Sequence, residues 1–92
     1  MSRIDWSAAA RRDLFRLEAF LRPVNPKAGA RVVRMLVDAV ARLPEFPHIA
    51  PQVETYEGRD IRSLVIGDYN LHYEVKADVI SIVRIWHARE DR

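Results

Sequence analysis

The residues best suited to chemistry lie at the end of the chain, between Arg84 and Arg92. This segment leaves a hydrophobic stretch and becomes polar at once, with His87 and Arg89 just beyond the apolar residues. An arginine and a histidine held by a rigid sheet can recognise phosphate or carboxylate groups, or transfer protons. A polar tail that simply terminates a sheet fits the same pattern, so the segment alone leaves both interpretations open.

Other kinds of site are not supported by the residues present. The chain has no cysteine, which excludes structural disulfides, thiolate zinc sites and cysteine nucleophiles. Its three glycines are isolated, so no phosphate-binding loop is expected, and His48, His72 and His87 lack metal-ligand spacing. No serine lies in a nucleophile motif. We therefore expect no cofactor or metal, and we expect any chemistry to occur on an open surface.

Length and composition indicate a single domain that spans residues 1–92. Thirteen of the fifteen basic residues are arginine, which suits macromolecular recognition, although an arginine-rich codon usage explains the bias equally well. The N-terminus lacks the apolar core of a signal peptide, and no apolar run approaches the ~20 residues that span a bilayer. We expect a cytoplasmic protein that does not interact with membranes.

The hydrophobic pattern predicts an α+β fold. It begins with a short strand, continues with an antiparallel helix hairpin and a proline-rich loop, and ends with a three-stranded antiparallel meander, with the first strand at a sheet edge. A further short strand is considered near Val53–Tyr56. The predicted elements are strand 2–6, helix Ala8 to about Arg22, helix Pro26 to about Leu43, and strands Ile61–Ile66, Tyr69–Val75 and Val79–Trp86.

Alternation along the last two strands assigns their side chains to faces. Tyr69 and Tyr73 share a face with other apolar residues and are predicted to lie in the core. Trp86 is predicted to share a face with Ile80 and Ile82, and so to be a core residue as well.

Several short segments, in this order and at this spacing, resemble the toxins of the ParE/RelE superfamily, the toxin half of type II toxin–antitoxin modules. The resemblance covers essentially the whole chain. Its motifs are Trp6-Ser7-Ala8-Ala9-Ala10-Arg11-Arg12-Asp13-Leu14, Asn25-Pro26-Lys27-Ala28, Ile61-Arg62-Ser63-Leu64, Gly67-Asp68-Tyr69-Asn70-Leu71-His72-Tyr73 and Trp86-His87-Ala88-Arg89-Glu90-Asp91. The fold that this resemblance implies is the one predicted above.

The superfamily has two branches, and the middle strand helps to distinguish them. RelE-like members cleave mRNA on the ribosome with an arginine in that strand, and the matching position here is Asn70. An uncharged amide cannot replace a guanidinium against a pentavalent phosphate. A RelE-like site would retain only Arg62, His87 and Arg89 as catalytic candidates. The ending His87-x-Arg89-x-Asp91 is similar to that of ParE-like members, which poison DNA gyrase, so we favour the ParE-like branch.

For this branch the resemblance implies a gyrase inhibitor without chemistry of its own. The implied target-binding residues are His87, Arg89, Glu90, Asp91 and Arg92. The resemblance also implies a cognate antitoxin and a hetero-oligomeric complex with it. We expect acidic residues of the antitoxin to contact a cluster of arginines on the first helix: Arg11, Arg12 and Arg16. A ribosome-dependent mRNA endonuclease and a non-toxic binding module remain as alternatives.

Overall fold

The computed structural model describes residues 2–90, which form two helices and four strands in the predicted order. No helix in this part of the chain is long and apolar enough to cross a membrane. The elements are β1 (Arg3–Trp6), α1 (Ala8–Leu21), α2 (Pro26–Ala41), β2 (Ile61–Ile66), β3 (Tyr69–Val75) and β4 (Val79–His87).

Both helices begin at the predicted signals. The Ser7 side chain accepts a hydrogen bond from the Ala10 N–H at 2.9 Å, and the Asn25 side chain accepts from the Lys27 N–H at 3.1 Å. Pro26 occupies the first turn of α2, where its missing N–H costs nothing. These caps satisfy backbone donors that have no partner within a helix.

The four strands form one sheet in the order β1-β4-β3-β2. The predicted antiparallel meander of β2, β3 and β4 is confirmed, as is the place of β1 at a sheet edge. β1 runs parallel to β4, so the complete sheet is mixed. The parallel pairing is allowed because the helix hairpin and two further strands separate β1 from β4 along the chain.

The strand considered for Val53–Tyr56 does not form. Gln52, just before this stretch, forms one isolated β-bridge with Arg62, and the chain after Val53 continues as turns. Two backbone bonds attach it to the outer side of β2: the Val53 N–H donates to the Ile61 carbonyl at 2.7 Å, and the Ser63 N–H donates to that of Pro51 at 3.0 Å.

The core lies between the two helices and one face of the sheet. Tyr69 and Tyr73 are buried there, as predicted, and the Tyr73 hydroxyl donates to the Pro47 carbonyl at 2.8 Å. This bond secures the proline-rich loop to the sheet. Other buried members of the core are Ala10, Leu17, Leu36, Val40, Leu43, Ala50, Leu71, Ile80, Ile82 and Ile85.

A β-bulge in β4 changes which side chains face the core. Tyr73 pairs with Ile82 but His72 pairs with Arg84, so β4 contains one extra residue at this point. The extra residue shifts the alternation, and Ile85 rather than Trp86 continues the core face. The prediction that Trp86 shares a face with Ile80 and Ile82 is therefore wrong. Trp86 is buried on the opposite face, where its ring lies 4.6 Å from that of His72.

The two helices approach closely at Gly29 of α2. A Cβ atom at this position would lie 3.0 Å from the backbone carbonyl oxygen of Glu18 in α1. Because a helix backbone cannot easily move aside, this contact requires glycine.

We expect Gly29→Val to destabilise the protein by roughly 2 kcal/mol through overpacking. The matched control is Ala30→Val at the next, exposed position. Helix propensity alone would make the control the costlier change, since valine is a better helix former than glycine and a poorer one than alanine. Urea unfolding followed by tryptophan fluorescence measures both. A smaller loss for Gly29→Val than for Ala30→Val would contradict the packing argument.

Candidate functional site

The C-terminal half of β4 has no strand on its outer edge. β1 pairs with Val79–Ile82 only, and β4 continues to His87. Side chains of α1 and its N-cap bond to this free edge instead: the Ser7 hydroxyl donates to the Val83 carbonyl at 3.0 Å, and the Asp13 carboxylate accepts from the Ile85 N–H at 2.8 Å. Arg16 donates to the Ile85 carbonyl at 3.1 Å. These bonds satisfy backbone groups that would otherwise lack partners.

Asp13 is the central group of this arrangement. It is 4% exposed and also accepts hydrogen bonds from Arg84 at 2.8 Å and from Arg16 at 3.2 Å. Burial raises the pKa of Asp13, but the bonds from Arg84, the Ile85 N–H and Arg16 outweigh burial, and the pKa lies below its ordinary value. The carboxylate is therefore ionised at neutral pH and balanced by two guanidinium groups.

The residues after β4 fold back as a turn. The Ala88 N–H donates to the Asp68 carbonyl at 2.7 Å, and the Arg89 N–H donates to Nδ1 of His87 at 3.1 Å. Glu90 accepts from the His87 N–H at 2.7 Å and forms an ion pair with Arg16. Because Nδ1 of His87 is an acceptor, the neutral ring carries its proton on Nε2.

A groove of about 540 Å³ lies between α1 and this turn. Its walls are mainly apolar, and the Tyr69 and His87 rings meet at right angles with centroids 5.1 Å apart. Burial, together with Asp68 and Glu90, raises the pKa of Tyr69, so its hydroxyl remains a hydrogen-bond donor. The lining residues are Arg16, Leu17, Phe20, Leu21, Tyr69, His87, Arg89 and Glu90. We refer to this site as the tail groove.

Several residues singled out in the sequence meet in the tail groove. His87, Arg89 and Glu90 line it together with Arg16. The Arg89 side chain is exposed and forms no ion pair within residues 2–90, which leaves it available to a partner. The other two predicted target-binding residues, Asp91 and Arg92, lie outside the described residues.

Arg11 and Arg12 lie elsewhere on α1, away from the groove lining. Both are exposed, and neither forms an ion pair within the part of the chain that the structure describes. They lie one helical turn before Phe15, whose side chain is 75% exposed.

Arg62 is not brought close to His87. It lies on β2, which β3 separates from β4, so the two strands are ~10 Å apart. His87 is in register with Ile66, four residues further along β2, which adds ~13 Å. The Arg62 guanidinium instead donates to Asp60 at 3.0 Å and to the Ala50 carbonyl at 2.9 Å, where it holds the proline-rich loop.

A second apolar groove, of about 400 Å³, lies between the end of α2 and the outer edge of β2. Phe46, Ile49 and Val65 are 50%, 66% and 66% exposed there. The backbone of Ser63 bonds outward from β2, so alternation places the backbone groups of Val65 outward as well. This is the open edge of the sheet. We refer to the groove and this edge together as the β2-edge surface.

Asp13 and the exposed phenylalanines are not among the site residues predicted from the sequence. The signal for Asp13 was present, because it lies three residues after Ala10 and four before Leu17, on the buried stripe of α1. Nothing in the sequence distinguishes Phe15, Phe20 and Phe46 from core residues, yet all three are at least half exposed.

Within residues 2–90 no group of three histidine, aspartate or glutamate side chains is arranged to hold a metal ion. The tail groove contains a histidine, two arginines and a glutamate, and its walls are mainly apolar. Its chemistry suits the recognition of a macromolecular surface.

The sequence matches the family model described as ParE toxin of type II toxin–antitoxin system, parDE, over residues 4–92. It is also 34% identical over 92 residues to a protein of Sinorhizobium fredii named "Putative toxin Y4kP". That alignment covers 96% of this chain and 90% of the other protein.

Two solved structures have the same fold. A chain of the chromosomal ParDE toxin–antitoxin system from P. aeruginosa superposes with a TM-score of 0.81 and 22% identity, over 95% of this chain and 96% of that one. A chain of the toxin–antitoxin complex RelBE2 from Mycobacterium tuberculosis superposes with a TM-score of 0.63 and 24% identity, over 94% and 96% of the two chains.

We expect Asp13→Ala to cost about 3 kcal/mol of unfolding free energy, because it leaves a buried N–H and two guanidinium groups without their acceptor. Asp13→Asn should cost less, since the amide oxygen can still accept from the Ile85 N–H. The control is Asp38→Asn, an exposed aspartate without an ion pair in the described residues, which should change stability by less than about 0.5 kcal/mol.

The cost of Asp13→Asn should also depend on pH. Because the folded-state pKa of Asp13 is lowered, its charge stabilises the fold above about pH 4, and this stabilisation is lost as the pH falls through the folded-state pKa. Urea unfolding between pH 7 and pH 2 measures the free energy of unfolding of the wild-type protein and of Asp13→Asn. The difference between the two values should shrink as the pH falls. A difference that stays constant would show that the charge of Asp13 contributes nothing.

Proposed function

The chain belongs to the ParE toxin family of type II toxin–antitoxin systems, and from this premise we propose that it inhibits DNA gyrase and is neutralised by a cognate antitoxin. In this proposal the protein binds gyrase and performs no chemistry of its own. The observation that carries it is the tail groove, in which His87 and Arg89 lie together beside the apolar surface of α1.

The composition of the tail groove supports a protein target. Protein-binding hot spots combine aromatic side chains and arginine with an apolar surface that excludes water. The groove offers Phe20, which is 79% exposed, the Tyr69 ring, and the guanidinium of Arg89, which forms no ion pair within residues 2–90. An apolar side chain of gyrase would enter the groove, and a nearby carboxylate would pair with Arg89.

The alternative of a ribosome-dependent mRNA endonuclease receives less support from the site. Its candidate residues Arg62 and His87 lie far apart, and the middle strand carries Asn70 where that activity would need an arginine. The neighbouring guanidinium on β4, that of Arg84, is bound to Asp13. Within residues 2–90, the cations that line the tail groove with His87 are Arg16, which is paired with Asp13 and Glu90, and Arg89, which leaves little uncompensated positive charge for a phosphorane-like transition state.

Two further surfaces suit an antitoxin. On α1, Arg11 and Arg12 lie beside the exposed Phe15, which fits an amphipathic helix with acidic residues. The β2-edge surface offers backbone pairing at Val65 next to apolar side chains, which fits an extended segment. A partner that reached both surfaces would wrap the toxin and form a hetero-oligomer with it.

We expect the wild-type protein to inhibit supercoiling by purified gyrase, and Arg89→Ala to raise the half-inhibiting concentration about tenfold, which corresponds to ~1.4 kcal/mol. Arg3→Ala removes an exposed arginine that pairs with Val79 at the other end of β4 from His87, and it serves as the control. Absence of inhibition by the wild-type protein would overturn the proposal. Codon-positioned mRNA cuts on translating ribosomes that Arg89→Ala abolishes would establish the endonuclease instead.

We expect Arg11→Glu/Arg12→Glu to slow association with the antitoxin about tenfold at low salt, because rim charges mainly steer encounter. Surface plasmon resonance with the cognate antitoxin measures this rate. The variant Arg31→Glu/Arg34→Glu carries the same change in charge on α2 and is the matched control. Equal slowing by the two variants would show that overall charge, and not the α1 surface, guides the antitoxin.

A further inference from the structure

The outward face of α2 and its C-cap residue Arg42 carry a row of cations formed by Lys27, Arg31, Arg34 and Arg42, which we call the basic ridge. Their spacings of four, three and eight residues place them on one side of the helix, opposite the buried Leu36. From Lys27 to Arg42 the ridge is ~22 Å long.

The basic ridge has no charged partner among the residues that the structure describes. All four side chains belong to exposed residues, and none forms an ion pair within residues 2–90. In contrast, Arg16, Arg22, Arg59, Arg62 and Arg84 are each bound to a carboxylate.

One acidic residue, Asp38, lies within the ridge, four residues after Arg34 and four before Arg42, and it pairs with neither. Four cations and one carboxylate leave the ridge with a net charge of +3, while the whole chain carries only +2. The positive charge of the protein is therefore concentrated on this helix face.

We propose that the basic ridge binds the phosphodiester backbone of a nucleic acid duplex. Arginine donates in a planar fork that matches phosphate oxygens. A duplex carries one phosphate per ~3.4 Å of helix axis on each strand, so the ridge spans about six base pairs of a duplex. On one side the ridge is flanked by the small, exposed side chains of Ala30 and Ala41.

An acidic protein fits the basic ridge less well. Tight protein interfaces seat apolar anchors in pockets among their charges. A wide, open depression lies among the ridge side chains, lined by Arg31, Arg34, Met35, Asp38, Ala39, Arg42 and Ile66, and Arg42 also borders the groove of the β2-edge surface. Because this depression is too open to enclose an apolar anchor, a protein partner would depend mainly on charge there, whereas for a nucleic acid backbone charge is the main source of affinity.

This binding site is additional to the proposed contact with gyrase, and it does not depend on it. If gyrase is the target, the ridge lets the toxin contact the DNA that gyrase holds. The tail groove and the ridge lie on different elements, so each can be changed without altering the other.

The test is fluorescence anisotropy with the full chain and a labelled 20-base-pair duplex, prepared as DNA and as RNA of the same sequence, in the absence of gyrase. We expect dissociation constants of about 10⁻⁶–10⁻⁴ M, with log K falling against log salt with a slope of about −3.6 for four contacts. Arg31→Glu/Arg34→Glu should weaken binding at least tenfold and reduce the magnitude of the slope by about two. Asp38→Asn should tighten binding.

The matched control is Arg11→Glu/Arg12→Glu, which changes the charge equally on α1 and should weaken binding far less. Circular dichroism melting of each variant shows whether it is folded. Binding of either duplex supports the proposal, and the duplex that binds more tightly shows whether the ridge prefers DNA or RNA. Equal loss in both double variants, or competition by polyglutamate as strong as that by DNA of equal charge, would overturn it. Gyrase inhibition by Arg31→Glu/Arg34→Glu, measured separately, distinguishes failure of this site from failure of the proposed function.

Discussion

Asp13 places a buried negative charge against the unpaired edge of β4, and the geometry of the tail groove depends on this contact. β1 is too short to cover β4 beyond Ile82, so the N–H of Ile85 needs an acceptor from elsewhere. One carboxylate supplies it and also gathers Arg16 and Arg84. Asp13 is the buried member of this set, and its charge would be costly to bury without the bonds from Arg16, Arg84 and the Ile85 N–H.

Ordering of the C-terminal segment follows from this set. Arg16 connects Asp13 to Glu90, and Glu90 in turn accepts from the His87 N–H. Residues that read as a loose tail in the sequence therefore form one wall of a groove whose other wall is α1. The remaining exposed apolar and basic groups lie on other elements, so the small chain can present separate surfaces to separate partners.

Local signals predicted most of the fold, because caps, turns and apolar periodicity act over a few residues. Ser7 and Asn25 began the two helices as expected, and the Gly67-Asp68 turn set the β2–β3 register. The bulge in β4 could not be predicted from these local signals, because strict alternation assumes that every residue has one partner on the neighbouring strand. The bulge places Trp86 on the opposite face of the sheet. The hydrogen-bond partners of a side chain also depend on tertiary contacts. The sequence shows that Arg62 is basic, but it does not show that Arg62 donates to the Ala50 carbonyl of the proline-rich loop.

The central claim is that Asp13 holds the C-terminal half of β4 and the turn that follows it. Amide hydrogen exchange of the wild-type protein and Asp13→Asn, resolved by NMR at pH 7, tests it most directly, because exchange reports local opening residue by residue. We predict faster exchange at Ile85 and His87 in the variant, with the β2–β3 amides unchanged, because a neutral amide oxygen accepts from the Ile85 N–H and from Arg16 more weakly than the carboxylate does. Unchanged protection at Ile85 and His87, or a uniform increase in exchange across the whole sheet, would contradict it.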